Sequence, residues 1–480
     1  MIVRQSRGPV LGPAAALVTA HTISGRTMEL DAVEPFRRAR LRATVARVRE
    51  HERDRGLVRA VGPWGLAASI VNIVVGAGIF AVPGALAACI GPYAPLAFLV
   101  CAVAIGSVAI CFAEGGSRIP TSGGAYGYVD AAFGPLAGYI AGTLLWFGNV
   151  LGCGGVAAAL ADVAVSALPP RFMAVTHAAV IIGIIGGIAL VNIGGIARGA
   201  RLVGAATVLK LIPLVIFIIV GAGAMHAANF LATTQPGTAG LGRALILALF
   251  AFSGMETPLS ASGEVAQPAR TIPRALAMAM LSVALLYIAI QVIAQGILGD
   301  ALAHSTVPLA DAMARVSPAL RLLMLAGAGL SMFGWIGSDI LGSPRMLFAF
   351  ARDGMLPRLL GRVHERSHAP QMAILCYAAI AIGLALSGTF EELAVLATLA
   401  SAVLYIGGCT AAWRLARRGV ALVGTPLNFR WLGAAMAIGV TSMLIMIALA
   451  SRAEIIGLLA VIGLSAVIYR LLASGRLARA

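Results

Sequence analysis

Two stretches, GLAASIVNIVVGAGIFAVPGALAAC over residues 65–89 and ALILALFAFSGMETPLSAS over residues 244–262, decide how the rest of the chain is read. Each is an apolar run of about 20 residues, the length an α-helix needs to cross roughly 30 Å of hydrocarbon. Each is also interrupted near its middle, by Gly76-Ala77-Gly78 in the first and by Ser253-Gly254 with Glu256 and Pro258 in the second. Glycine weakens a helix and proline removes a backbone donor, so both runs are expected to unwind at mid-membrane. Unwound backbone is tolerated there only where it lines a cavity or is buried in protein. Close helix packing through glycine is the competing reading of either run alone. Taken as a pair, at positions one and six in the order of spans, they imply two five-span repeats over 66–223 and 244–412, the arrangement of an inverted-repeat transporter. Half-helix N-termini offer N–H groups to an anion and half-helix C-termini offer carbonyls to a cation. An α-amino acid carries both charges on one carbon and matches such a pair of ends.

Outward from these runs, the 480 residues are 60% hydrophobic and 11% charged, with a mean hydropathy of +0.95, too apolar for a soluble domain. Spans are expected over 66–89, 94–113, 134–166, 173–193, 203–223, 244–263, 275–297, 319–350, 371–388, 393–412, 431–450 and 454–472. With the N-terminus inside, and with Arg345, Arg470 and Arg321 at the span ends counted with the loop beside them, 29 of the 35 Lys+Arg fall on the cytosolic side and five on the outer side. That split follows the positive-inside rule and places both termini in the cytosol of a bacterial inner membrane. The net charge of +16 is then topological, and nucleic acid is not needed to explain it. Residues 1–62 read as a basic cytosolic extension, partly disordered, lying near anionic lipid; residues 63–412 as the transporter core; and residues 413–480 as spans eleven and twelve with a short tail. A signal peptide is rejected, because Gly12 and Pro13 interrupt the weak apolar stretch Val10–Ala20, and Met28 offers an alternative start. Cys89, Cys101, Cys111, Cys153, Cys376 and Cys409 lie in or beside apolar runs, without metal-ligand spacing, and read as small core residues.

Several motifs then resemble the amino acid–polyamine–organocation superfamily of permeases. GAGIF (76–80) with Pro83 resembles its first span, and FAEGGSRIPTSGGAYGYV (112–129) its loop between spans two and three. FAFSGME (250–256) followed by GEVAQPARTIPRA (263–275) resembles span six and the loop after it, and PRMLFAFARDGMLP (344–357) the end of span eight. The resemblance implies an all-α membrane protein of twelve transmembrane helices, a five-plus-five inverted repeat with spans one and six broken and two C-terminal spans added. It implies that a substrate carboxylate meets N–H groups at Ala77 and Gly78 in the Gly76–Gly78 break. The ammonium would meet carbonyls near Val74, Phe250 and Ser253, beside Gly254. A gating aromatic is expected at Phe250, with Phe252 as the other candidate for that part.

Lys210 lies within the fifth span and is the only lysine in the chain. A cation there costs roughly 2.5–3.5 kcal/mol on insertion scales, so it needs a reason. The resemblance implies that this lysine replaces a coupling sodium ion by bonding to the unwound part of span one, and that it can link transport to protons. Intramembrane acids are functional candidates as well. Glu256 adjoins the second break and is assigned to gating or proton linkage, whereas Asp162 and Asp339 read equally as polar packing partners. Glu114, Arg118, Glu264, Arg270, Arg345, Arg352 and Asp353 are expected to form inner-gate ion pairs.

No Walker loop, HExxH or paired His/Cys set occurs, so neither an enzyme, nor an ATP-driven pump, nor any cofactor is expected. The expected function is sodium-independent secondary transport of an amino acid or related amine by alternating access, proton-coupled or by exchange, with the lipid bilayer as its other partner. A channel or a transporter-like nutrient sensor is the rival reading, since broken helices also line pores.

Overall fold

The computed structural model describes residues 59–120, 123–166, 169–194, 209–231, 237–260, 262–352, 356–364, 369–422 and 425–477. Most of the expected N-terminal extension, up to residue 58, lies outside the described residues, as do 203–208 of the expected fifth span and 478–480 of the tail. The described chain is all-helical apart from one isolated bridge. In order the helices are α1 Pro63–Val74, α2 Gly78–Ile90, α3 Ala94–Arg118, α4 Gly124–Phe133, α5 Pro135–Val165, α6 Pro170–Ile193, α7 Leu211–Gly221, α8 Thr238–Phe252 and α9 Glu256–Leu259. They continue as α10 Pro268–Leu298, α11 Pro308–Ala314, α12 Pro318–Gly342, α13 Pro344–Arg352, α14 Gln371–Ser387, α15 Phe390–Arg417, α16 Leu432–Ala448 and α17 Arg452–Leu477.

Proline opens α1, α5, α6, α10, α11, α12 and α13. At the first helical position its missing N–H would have had no intrahelical acceptor, and its fixed φ suits the helix. Side-chain caps are used at three starts: Ser317 accepts from the N–H of Ala319 before α12, and Thr389 with Glu392 before α15 and Ser451 with Glu454 before α17 form reciprocal capping boxes. Pro344 follows Ser343 at the end of α12, so the expected span 319–350 is two helices rather than one.

Among the described residues, seven helical stretches are long and apolar enough to cross a membrane, over 78–118, 135–165, 171–193, 268–304, 318–351, 390–417 and 452–472. The shorter apolar helices α1, α8, α14 and α16 each fall below the length of a full span. The protein is therefore an integral membrane protein with an all-helical fold. Its outer surface agrees: Leu96, Leu99, Val100 and Val103 form an exposed apolar stripe on α3, and Ile456, Leu459, Leu464, Val467 and Leu471 one on α17. Such faces suit lipid and would be a liability in water. The opposite face of α3, through Phe98, Cys101, Ile105 and Val108, is fully buried.

Inside, α5 packs along α15, and α10 packs along α3 and α1. The two interrupted elements lie across one another, with α2 against α8 and α1 against α9. Just before α1, Val61 donates to the carbonyl of Glu264 at 3.1 Å and accepts from the N–H of Ala266 at 3.0 Å, a two-residue parallel bridge to the segment after α9.

Candidate functional site

The first interruption spans Val75-Gly76-Ala77, where α1 stops and α2 begins at Gly78. The carbonyls of Asn72, Val74 and Val75, freed at the end of α1, are engaged from neighbouring elements. The Lys210 ammonium, buried at the start of α7, donates to the carbonyls of Asn72 and Val75, the latter at 2.8 Å. Tyr287 on α10 donates its hydroxyl to the carbonyl of Val74 at 2.7 Å, and Ser331 on α12 donates to Val75 at 3.3 Å or Gly76 at 3.4 Å. Three helices thus hold one opened turn in place. On the other side of the break, the first N–H groups of α2 have no acceptor within their own helix.

The second interruption spans Ser253-Gly254-Met255. Gly254 has φ +114, a conformation that strains any residue with a side chain, and a Cβ there would lie 2.9 Å from Ile73. Glu256, buried at the start of α9, folds back to accept from the Gly254 N–H at 3.2 Å and from the Tyr405 hydroxyl of α15 at 2.8 Å. Its carboxyl therefore fixes the shape of the break and ties it to α15.

Both breaks open on one cavity of about 50 Å³. Val74, Gly76, Ala77, Gly78, Phe250, Ser253, Gly254 and Glu256 line it. Lys210 lies behind the first break rather than in the cavity wall. Phe252 is fully buried elsewhere, against Phe98 and Tyr287, so of the two phenylalanines it is Phe250 that faces the cavity. A second cavity of about 440 Å³ adjoins it, lined by residues that include Phe80, Asp162, His304, Met332 and Phe390. The rings of Phe250 and Phe390 meet edge to face at 5.6 Å, one facing each cavity, and form the partition between them.

Residues 61–451 match the family model described as amino acid permease. The chain belongs to the amino acid permease family. It is similar to an uncharacterized transporter of Mycobacterium tuberculosis, 29% identical over 67% of this chain and 73% of the relative. It is also similar to a methylthioribose transporter of Bacillus subtilis, 27% identical over 73% and 80% of the two chains, and to a branched-chain amino acid permease of the same organism, 25% identical over 72% and 78%. Membership makes this chain a transporter of a small molecule and not an enzyme.

In this permease, Trp335 of α12, Asn149 of α5 and Ser401 of α15 also face the small cavity, and nothing in the sequence had singled them out. Trp335 covers the first break closely: a Cβ on Gly76 would lie 2.7 Å from its ring and one on Gly152 3.2 Å from it. Gly78 is pinned still harder, because a Cβ there would lie 2.8 Å from the Cα of Ala251 on α8, which is backbone and cannot turn aside.

The expected inner-gate ion pairs are corrected in part. Buried Glu114 and Arg118 pair with each other at 2.7 Å, and their purpose is to hold the segment between α15 and α16. Arg118 donates to the Val420 carbonyl and the Asn428 side chain, while Glu114 accepts from the N–H groups of Asn428 and Phe429. Glu264, Arg270 and Arg345 make no ion pair with another described residue. The Arg352 side chain and Asp353 lie outside the described residues. Asp162 pairs with His177 at 3.2 Å on the rim of the larger cavity.

Proposed function

We propose that this permease is a secondary active transporter of an amino acid or closely related amine, sodium-independent and working by alternating access. The observation that carries the reading is that two interrupted helices open on one cavity while the lysine ammonium of Lys210 holds the back of the first break. The start of α2 at Ala77 and Gly78 suits a carboxylate, and the end of α8 at Phe250 and Ser253 suits an ammonium, whereas the Val74 carbonyl is already taken by the Tyr287 hydroxyl and the Gly76 N–H. Lys210 occupies the place between the first break and its neighbours where a bound cation would otherwise be needed, and its own positive charge would repel sodium. Glu256, by setting the second break, takes a gating part.

The crosswise packing of α1 with α9 and of α2 with α8 supports two inverted repeats over 66–223 and 244–412 within a core of 63–412, with two further spans over 413–480, twelve in all. The charge split supports cytosolic termini in a bacterial inner membrane. On that orientation the larger cavity is an outer vestibule, the Phe250–Phe390 pair is the thin outer gate, and the Val61–Val265 bridge lies on the closed inner side. The name of one relative, a branched-chain amino acid permease, supports an α-amino acid as substrate.

Purified protein in liposomes, loaded with unlabelled amino acids, tests the reading against a channel. Uptake of a labelled mixture of the protein amino acids should saturate and should accelerate with internal counter-substrate. Linear uptake, indifferent to the internal pool, would refute a carrier.

A further inference from the structure

Asp339 is buried inside α12, one turn beyond Trp335 of the cavity wall, and no described Lys, Arg or His pairs with it. Ser343 donates its hydroxyl to one carboxyl oxygen at 2.6 Å, and Tyr377 of α14 donates to the other. The amide nitrogen of Asn149, which faces the cavity from α5, donates to the Ser343 oxygen at 2.9 Å. Cys153, one helical turn further along α5, adds a thiol beside the carboxyl. The other cations on elements packed against α12 lie elsewhere: Lys210 bonds to the first break, His177 of α6 pairs with Asp162, Arg171 of α6 stacks on Phe172, and Arg345 on α13 makes no ion pair with a described residue.

This arrangement has a direction. An amide N–H only donates, so the Ser343 oxygen accepts from Asn149 and its single hydrogen goes to Asp339. With Tyr377 donating as well, both hydroxyl hydrogens of the cluster point at the carboxyl, which suits the ionised form. An ionised carboxylate with no cation beside it is nevertheless costly inside a membrane. Taking up a proton removes the charge but adds a hydrogen that must be donated, to Ser343 or to Tyr377. If Ser343 receives it on its second lone pair, the Ser343 hydrogen must turn to a new acceptor, and the hydroxyl that accepts from Asn149 is reoriented. On the Ser343 route the two proton states differ in a hydrogen-bond chain that ends at the cavity wall.

We propose that Asp339 is a proton-binding site linked through Ser343 and Asn149 to occupancy of the substrate cavity. The step is simple acid–base exchange: the carboxylate takes a proton from hydronium, leaving water, and returns it to water. Linkage is reciprocal, so a substrate that favours one arrangement of Asn149 changes proton binding, and protonation changes substrate binding by the same factor. The inference deepens the transport reading above and rests on it for the identity of the cavity. A polar staple joining α5, α12 and α14 would use the same bonds but would not titrate.

Infrared difference spectra of the reconstituted protein across a pH series test the proposal without requiring transport. The parent should show a protonated-carboxyl band that titrates and is missing from Asp339→Asn. Tyr377→Phe, which removes one donor to the carboxylate, should move the midpoint to more alkaline pH by about tenfold in proton concentration. Adding the amino acid mixture should shift the parent's midpoint. In uptake assays an inward proton gradient should stimulate the parent and not Asp339→Asn. An identical titrating band in Asp339→Asn, or an unmoved midpoint in Tyr377→Phe, would overturn the proposal; Tyr377→Phe decides alone if Asp339→Asn fails to insert. A parent that titrates as described yet takes up no amino acid would instead refute the transport reading and leave the proton site standing.

Discussion

Lys210 and Ser331 converge on one carbonyl of the first break, the ammonium reaching the oxygen of Val75 at 2.8 Å and the hydroxyl at 3.3 Å. The ammonium alone also reaches Asn72. Lys210→Ala should therefore strand the Asn72 carbonyl outright and leave Val75 with its weaker partner, at about 1–3 kcal/mol for a buried acceptor left unmade. Uptake by Lys210→Ala in liposomes should fall to background. Lys210→Arg should also fail, since a planar fork does not fit two converging carbonyls as a compact ammonium does. Sodium-driven accumulation by the parent would show that the lysine does not stand in for a cation.

Gly78 and Ala251 set a second test. A methyl on Gly78 would collide with backbone, so Gly78→Ala should push α2 and α8 apart at a cost of about 1–3 kcal/mol, the range for overpacking. Trimming the neighbour in Gly78→Ala/Ala251→Gly should rescue only part of this, because the Ala251 Cα at 2.8 Å remains. Thermal unfolding in detergent reads the stability, and full rescue would place the strain elsewhere. Gly78→Leu is expected to lose substrate binding for this packing reason as much as for any blocked N–H group.

The two phenylalanines of α8 should separate binding from stability. Phe252→Ala empties a fully buried site and should destabilise by about 3–5 kcal/mol. Phe250→Ala opens the partition with Phe390 and should change apparent affinity or selectivity with a smaller loss of stability. Reversed effects in paired uptake and unfolding measurements would mean that Phe250 is core and not gate.

Glu114→Gln and Arg118→Met each leave a buried charge without its partner, a change that typically costs about 3–5 kcal/mol. Replacing both together should cost less than the sum of the single changes, since no orphaned charge remains. A double-mutant cycle on unfolding free energies checks this; strict additivity would mean that the pair is not coupled.

The orientation is checked by labelling. A cysteine introduced at Gly237, before α8, should react with an impermeant maleimide from outside the cell. Reaction only after permeabilisation would invert the topology.

Both breaks were readable in the sequence because glycine and proline in an apolar run leave few alternatives, and Lys210 was readable because a lone cation inside such a run has to be explained. Trp335, Asn149 and Ser401 were not. In a membrane the lipid is as apolar as the core, so the rotation of α5, α12 or α15 about its own axis leaves little trace in hydrophobic pattern. Phe250 and Phe252 show the same limit at close range: two residues apart on a helix, they point about 200° from one another, and only packing decides which meets the cavity. Glu114 and Arg118 were expected among inner-gate ion pairs, but nothing in the sequence pointed to the segment some 300 positions onward that their pair holds.

The bridge between Val61 and Val265 is made of peptide groups alone. Its hydrogen bonds therefore do not depend on which side chains stand at these positions so long as proline is avoided at the donating residues Val61 and Ala266, while the buried Val265 side chain is held by core packing. A fastening of that kind lets the neighbouring sequence drift over generations while the entrance to α1 and the exit from α9 keep their mechanical connection.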